Sequence, residues 1–254
     1  MTYLFRHSLV FFGVSFVVMW LSAWFGSAVL RKHRNLAEAT RGDFGTILAA
    51  TLTLLGLIIG FSFSMAITRY DQRKTYEEAE ANAIGTAYAR ADLLPAADGA
   101  RVRALLKSYL DQRVLYYVTQ DERVLHEVDA KTARLQNQLW SAVVTPATAQ
   151  PTPVIALAVE GMNDVLNSQG YTQAAWWNQI PTAAWELMLA VAIVSNLLLG
   201  YGLRNGPGAG LLLILPLVVA IAFMLIADID APREGMIRVS PQNLLSLAES
   251  LRTQ

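Results

Sequence analysis

The residues whose types and spacing could do chemistry are not those of an enzyme. Thr53, Gly56, Leu57, Gly60, Phe61, Ser64 and Thr68 recur at steps of three and four, so in a helix they share one face. That face is small and hydroxylated, with the bulkier Leu57 and Phe61 set into it. Leu55, Ile58, Ile59, Ser62 and Ala66 fall on the opposite face. All lie in an uncharged run over residues 44–68, about 37 Å long as a helix at about 1.5 Å per residue. A bilayer core is about 30 Å thick. A semi-polar stripe at that depth either packs on a neighbouring helix or lines water. Just beyond it Glu77, Glu78 and Glu80 cluster; they read as a solvated face or as a charged vestibule near a pore. A second acidic set, Asp228, Asp230 and Glu234, follows the last apolar stretch and reads as a helix-exit turn around Pro232 and Gly235. His7, His33 and His126 are far apart and form no ligand motif. The absence of cysteine excludes disulfides and thiolate metal sites. There is no P-loop, nucleophile elbow or HExxH sequence.

The elements that must position these residues are membrane spans. The chain has 254 residues, 54% of them hydrophobic, and the apolar residues are blocked rather than spread. That argues for an integral membrane protein, and zero net charge leaves no electrostatic footprint for nucleic acid. The fold class predicted is all-α. Residues 1–68 hold two spans, 69–179 a helical insert outside the membrane, 180–229 two more spans, and 230–254 a tail with a short helix. The first span covers about 8–30; its length, and the basic flank Arg31, Lys32 and Arg34, argue against a signal peptide. The loop carrying Arg31, Lys32, Arg34, Glu38, Arg41 and Asp43 suits lipid headgroups. The second span continues unbroken through 69–94, with Ile84, Ala87, Tyr88, Ala91 and Leu94 on one face.

Within the insert, 98–119 and 121–143 are amphipathic helices, 145–153 is a Thr/Ala/Pro linker, and 153–168 is a helix stopped by Gly170, with Leu157, Val165 and Leu166 inward. Trp176, Trp177 and Trp185 open the third span as an aromatic belt, with Glu186 at headgroup depth or paired with an arginine. Residues 204–208 form a tight turn, and Pro216 kinks the fourth span. Ser240 and Pro241 start a short helix by cap chemistry, and Leu244, Leu247 and Leu251 dock it.

The run IGFSFSMAITRYDQ from Ile59 to Gln72 resembles the second transmembrane helix of the bestrophins. There a Gly-Phe pair is followed by an apolar turn, then Thr-Arg and an aromatic. The run EANAIGTAYARADLLP from Glu80 to Pro95 and DIDAPREG from Asp228 to Gly235 are similar to a bacterial bestrophin-like family of membrane proteins, over nearly the whole chain. The resemblance implies a homo-oligomeric ion channel of five subunits in the bacterial inner membrane, passing small inorganic ions; bestrophins point to anions, while some bacterial relatives prefer cations, so selectivity stays open. It implies that termini and insert lie on the cytoplasmic side. It places Phe61, Leu57 and Thr53 on the positions that form the bestrophin neck, where Thr53 departs from the apolar residue expected. These lie at i, i+4 and i+8 and stack along one face. Around a symmetry axis each becomes a ring, and apolar rings can close a pore by losing water. The resemblance also makes Asp228, Asp230 and Glu234 calcium candidates, although this set is shorter and differently spaced than the bestrophin acids. No other cofactor is implied.

Charge counting does not settle orientation. Arg6, Arg69, Arg73, Lys74, Arg233 and Arg238 flank the membrane on the insert side, against Arg31, Lys32, Arg34, Arg41 and Arg204 on the other. The competing function is a membrane-anchored sensor or scaffold whose helical insert binds a ligand or partner, with Gly56 and Gly60 only a small-residue packing face. A proton-driven stator fits poorly, since the spans carry no mid-membrane carboxylate.

Overall fold

The computed structural model describes residues 8–30, 38–202 and 210–253. Among them the order is α1 (Ser8–Phe25) with a π-helical turn at Gly26–Leu30, α2 (Glu38–Arg90) with a 3-10 turn at Ala91–Leu93, α3 (Ala96–Val118), α4 (Glu122–Ala149), α5 (Pro153–Trp177), α6 (Thr182–Gly202), α7 (Leu211–Asp230) and α8 (Gln242–Arg252). The described residues form no strand. Four stretches, within α1, α2, α5–α6 and α7, are long and apolar enough to cross a membrane. Arg6, Arg31, Lys32, Arg34 and the expected turn at 204–208 lie outside the described residues, as do the side chains of Glu38 and Arg41.

The chain divides into two compact units. The first comprises residues 1–69 and 179–238. Here α1 packs against both α6 and α7. In lipid there is no hydrophobic force between helices, so close backbone approach decides association. Two glycines permit it: a Cβ on Gly26 would strike the Leu197 carbonyl, and one on Gly200 the Ala23 carbonyl. Ser22 Oγ donates to the Ile193 carbonyl at 2.8 Å. Trp185 stands edge-on to Phe11 and Phe223, at 5.4 and 6.2 Å between ring centroids. α7 runs through Pro216 without interruption.

The second unit comprises residues 70–178 and 239–254. It is a bundle whose core includes Ile84, Leu106, Tyr109, Leu139, Val165 and Leu244. The helix starts follow capping chemistry. Asp121 accepts from the Arg123 amide, and Thr152 from the Ile155 amide ahead of Pro153 at the first turn. α2 passes from residue 68 to residue 77 with no loop, and Ile84, Ala87, Ala91 and Leu94 are buried.

Four sequence expectations are corrected here. The linker at 145–153 is instead helical up to Ala149, with Pro146 inside α4. Pro146 is buried and Ala147 packs on the core, while Thr145 and Thr148 hydroxyls donate to carbonyls one turn back; packing overrides the composition. Gly170 does not stop α5, because Thr172, Ala175 and Trp176 beyond it are all buried. Leu157 is exposed, since the inward phase of α5 runs through Ile155, Ala158, Met162 and Val165. Trp176 is not a belt residue: it is buried in the bundle, its ring centroid 5.3 Å from those of both Tyr116 and Tyr117. Trp177 is exposed, as is Glu186, and Trp185 is buried.

Two glycines test this packing in opposite directions. Gly170 has open space around it in a helix, so Gly170→Ala is expected to stabilise by about 1 kcal/mol through helix propensity. Gly200→Ala forces a methyl into backbone and is expected to destabilise by roughly 1–3 kcal/mol. Thermal melts of the detergent-solubilised variants check both signs.

Candidate functional site

The membrane stretch of α2 has one buried edge and is otherwise open, with Leu54, Phe63, Met65 and Ile67 exposed beside the small-residue stripe. Leu55, Ser62 and Ala66 are buried against the rest of the chain, and Ile58 and Ile59 are half-buried. Thr53, Gly56, Leu57, Gly60, Phe61, Ser64 and Thr68 are all exposed, Leu57 at 53% and Phe61 at 63%. A Cβ placed on Gly56 or Gly60 would meet nothing within 4 Å. The Thr53 and Thr68 hydroxyls donate to the Ala49 and Ser64 carbonyls, each at 2.9 Å. The stripe therefore spends no donor on the rest of its own chain.

Where the uncharged run ends, the inner face of α2 becomes charged. Arg69, Arg73, Glu77 and Glu80 are spaced 4, 4 and 3 residues apart and so lie along one side of the helix. Arg69 Nη1 donates to Asp230 Oδ1 at 3.3 Å. Arg73 donates from Nε to the Ala175 carbonyl and from Nη2 to the Asn178 carbonyl, both at 3.3 Å. Glu77 accepts the Leu244 amide at 2.9 Å and Asn243 Nδ2 at 2.6 Å. Leu244 lies in the first turn of α8, whose Pro241 cap residue makes no side-chain cap bond. The cap that sequence assigns to Ser240 and Pro241 is thus supplied by a carboxylate from α2, matching the positive end of the helix dipole.

Glu80 and Arg113 form a fully buried ion pair, with Nε donating to Oε1 and Nη2 to Oε2. Thr172 Oγ1 and the Tyr117 hydroxyl also donate to Glu80 Oε2, at 3.1 and 3.5 Å. The Arg113 guanidinium lies 4.4 Å from the Tyr116 ring centroid. Burial, the largest single influence, would lower the Arg113 pKa, but the charge and hydrogen bond of Glu80 together with Tyr109 and Tyr117 raise it above its ordinary value, so the guanidinium stays charged. Burial, reinforced by Glu80, raises the Tyr117 phenol far above its ordinary range and keeps it a neutral donor.

These contacts correct the reading of the three glutamates. Glu77 and Glu80 are neither a solvated face nor a vestibule lining: they are 2% and 0% exposed, as anchors of the bundle. Glu78 alone remains exposed. The signal missed was the period that sets Glu77 and Glu80 in line with Arg69 and Arg73.

The acids after α7 are also occupied. Asp228 accepts the Met236 and Ile237 amides, one on each oxygen, both at 2.8 Å. Gly235 makes that turn possible, since a Cβ there would strike the Asp228 carbonyl. Asp230 accepts Arg69 and, at 2.8 Å on Oδ2, the Ile180 amide. Glu234 is exposed. Among the described residues no three His, Cys, Asp or Glu gather as a metal site; sequence adjacency does not bring the calcium candidates together.

With this geometry in place, the comparisons decide the family. The sequence matches the Bestrophin-like domain over residues 13–244. The chain belongs to the Bestrophin-like family. That family is one of ion channels, and this member is an integral membrane protein. The crystal structure of a bacterial bestrophin homolog from Klebsiella pneumoniae is similar at 13% identity, over 96% of this chain and 97% of that one, with a TM-score of 0.64. A point mutant of the same homolog gives 14% identity over 100% and 98%, with a TM-score of 0.62. At such identity the likeness establishes the fold. No curated protein matches the sequence.

The buried pair gives a direct test of the bundle. Glu80→Ala leaves Arg113 buried without its carboxylate and is expected to cost about 3–5 kcal/mol, whereas Glu80→Leu with Arg113→Met recovers most of that loss. Denaturation of the purified variants, with helicity as the readout, checks it.

Proposed function

We propose that this Bestrophin-like protein assembles as a homopentamer around a central pore lined by α2, and that it conducts small anions. The observation that carries the reading is the exposed stripe itself. Its glycines, hydroxyls and two bulky apolar residues are turned away from the chain, as are Leu54, Phe63, Met65 and Ile67 beside them, while Leu55, Ser62 and Ala66 are buried. A small-residue face left open by its own chain is one that neighbouring copies can approach closely. The four spans carry no mid-membrane charge to line an ion path within one chain, so the conduction site is complete only on a symmetry axis.

In this arrangement Phe61 and Leu57 form successive apolar rings and Thr53 a wetter outer ring. Closure is by dewetting at the apolar rings, without any gating charge. Gly56 and Gly60 let adjacent copies of α2 come near enough for a narrow neck, and Ser64 and Thr68 continue the lining toward the insert. Glu78 is the carboxylate left to face a vestibule. Asp228 and Asp230 act as structural pins rather than calcium ligands, because protein donors already sit on their oxygens. The insert and both termini face the cytoplasm of a bacterial inner membrane.

Native mass in detergent is expected near five chains, and the protein in liposomes is expected to pass chloride. Phe61→Ala should raise flux by widening the neck, while Leu55→Ala, on the buried face, should lower stability more than it changes flux. A stable monomer, or flux unaltered by both substitutions in assembled protein, contradicts the proposal.

A further inference from the structure

One carboxylate gathers three chain segments where the spans end. Asp230 is the last residue of α7. Its Oδ2 accepts the amide of Ile180, two residues before α6, and its Oδ1 accepts Nη1 of Arg69. Arg69 is the first charged side chain after the uncharged run of α2. The two side chains are 16% and 8% exposed, so the bond is shielded from water and made stronger than a surface pair.

We infer that Asp230 is a positioning residue: through Arg69 it fixes the height and rotation of α2 at its membrane exit, and so holds the Phe61 and Leu57 rings in register. This rests on the pore reading proposed above. Phe61 lies eight residues before Arg69, about 12 Å up the same helix. An arginine with no fixed acceptor at this depth would extend to the headgroups. The span of α2 would then lose the pin nearest the rings, leaving Arg73, Glu77 and Glu80, one to three turns further from the rings, as the chain's remaining hold on its rotation. Rings built from identical side chains stay narrow only while every copy of the helix keeps one rotation, so loss of the Asp230 charge favours the open neck.

Single-channel recording of the full chain in planar bilayers tests this. Asp230→Asn keeps an oxygen acceptor for the Ile180 amide and removes the charge; Arg69→Gln removes the charge from the other side. Each is expected to raise open probability about fivefold or more, with unitary conductance and ion selectivity as in the parent. The double variant should resemble either single variant, as for residues acting through one contact. Arg69→Lys should retain the parent's open probability. Open probability that is unchanged or reduced in Asp230→Asn overturns the inference, as does a changed unitary conductance. Loss of the native oligomer mass in Asp230→Asn also overturns it, by making the contact merely structural. A parent chain that assembles but carries no current fails the pore reading itself, a result distinct from all of these.

Discussion

Buried charge is tolerable only where it is paired, and α2 obeys this along its whole length. For two dozen residues it carries no charge at all. Then four charged side chains appear on its inner side within three turns, each meeting a partner brought from elsewhere in the chain. Arg69 meets Asp230, Arg73 two carbonyls, Glu77 the first turn of α8, and Glu80 the guanidinium of Arg113. These contacts require the right segments to arrive at the right turns. A purely apolar face would accept many registers, whereas this one accepts few. With its inner side committed in this way, the stripe from Thr53 to Thr68 is the small-residue part of what α2 has left to offer a neighbour.

Much of this was legible in the sequence because its strongest signals are periodic. The uncharged run at 44–68 and the 3–4 spacing within it define a span with two unlike faces; all seven stripe residues are exposed, and Leu55, Ser62 and Ala66 of the opposite face are buried. The unbroken pattern through Ile84, Ala87 and Ala91 predicts that the helix continues well past the membrane, as it does to Arg90. The family resemblance rested on the segments around Phe61, Tyr88 and Asp228, and the family match covers them all.

What was not legible depended on partners distant in sequence. A glutamate cluster next to a membrane span looks solvated until Arg113, Thr172 and Leu244 are known to arrive at it. Trp176 beside Trp177 resembles an interfacial pair, yet one helical step puts the first in an aromatic core and leaves the second exposed. Pro146 and Gly170 are breakers by local preference, and tertiary burial on both sides overrules them. Gly26 and Gly200 gave no periodic signal, although they allow α1 and α6 to touch backbone to backbone.

The central claim is that the exposed stripe of α2 faces a water-filled path and the opposite face does not. The chain contains no cysteine, so single thiols can be introduced into a silent background. The decisive measurement is the effect of a charged, membrane-impermeant thiol reagent on ion flux through liposomes holding Leu57→Cys, Phe61→Cys, Ser64→Cys, Leu55→Cys, Ser62→Cys or Ala66→Cys. The account predicts modification and altered flux for the first three and neither for the last three. Modification of the Leu55, Ser62 and Ala66 variants, with the Leu57, Phe61 and Ser64 variants inert, would contradict it.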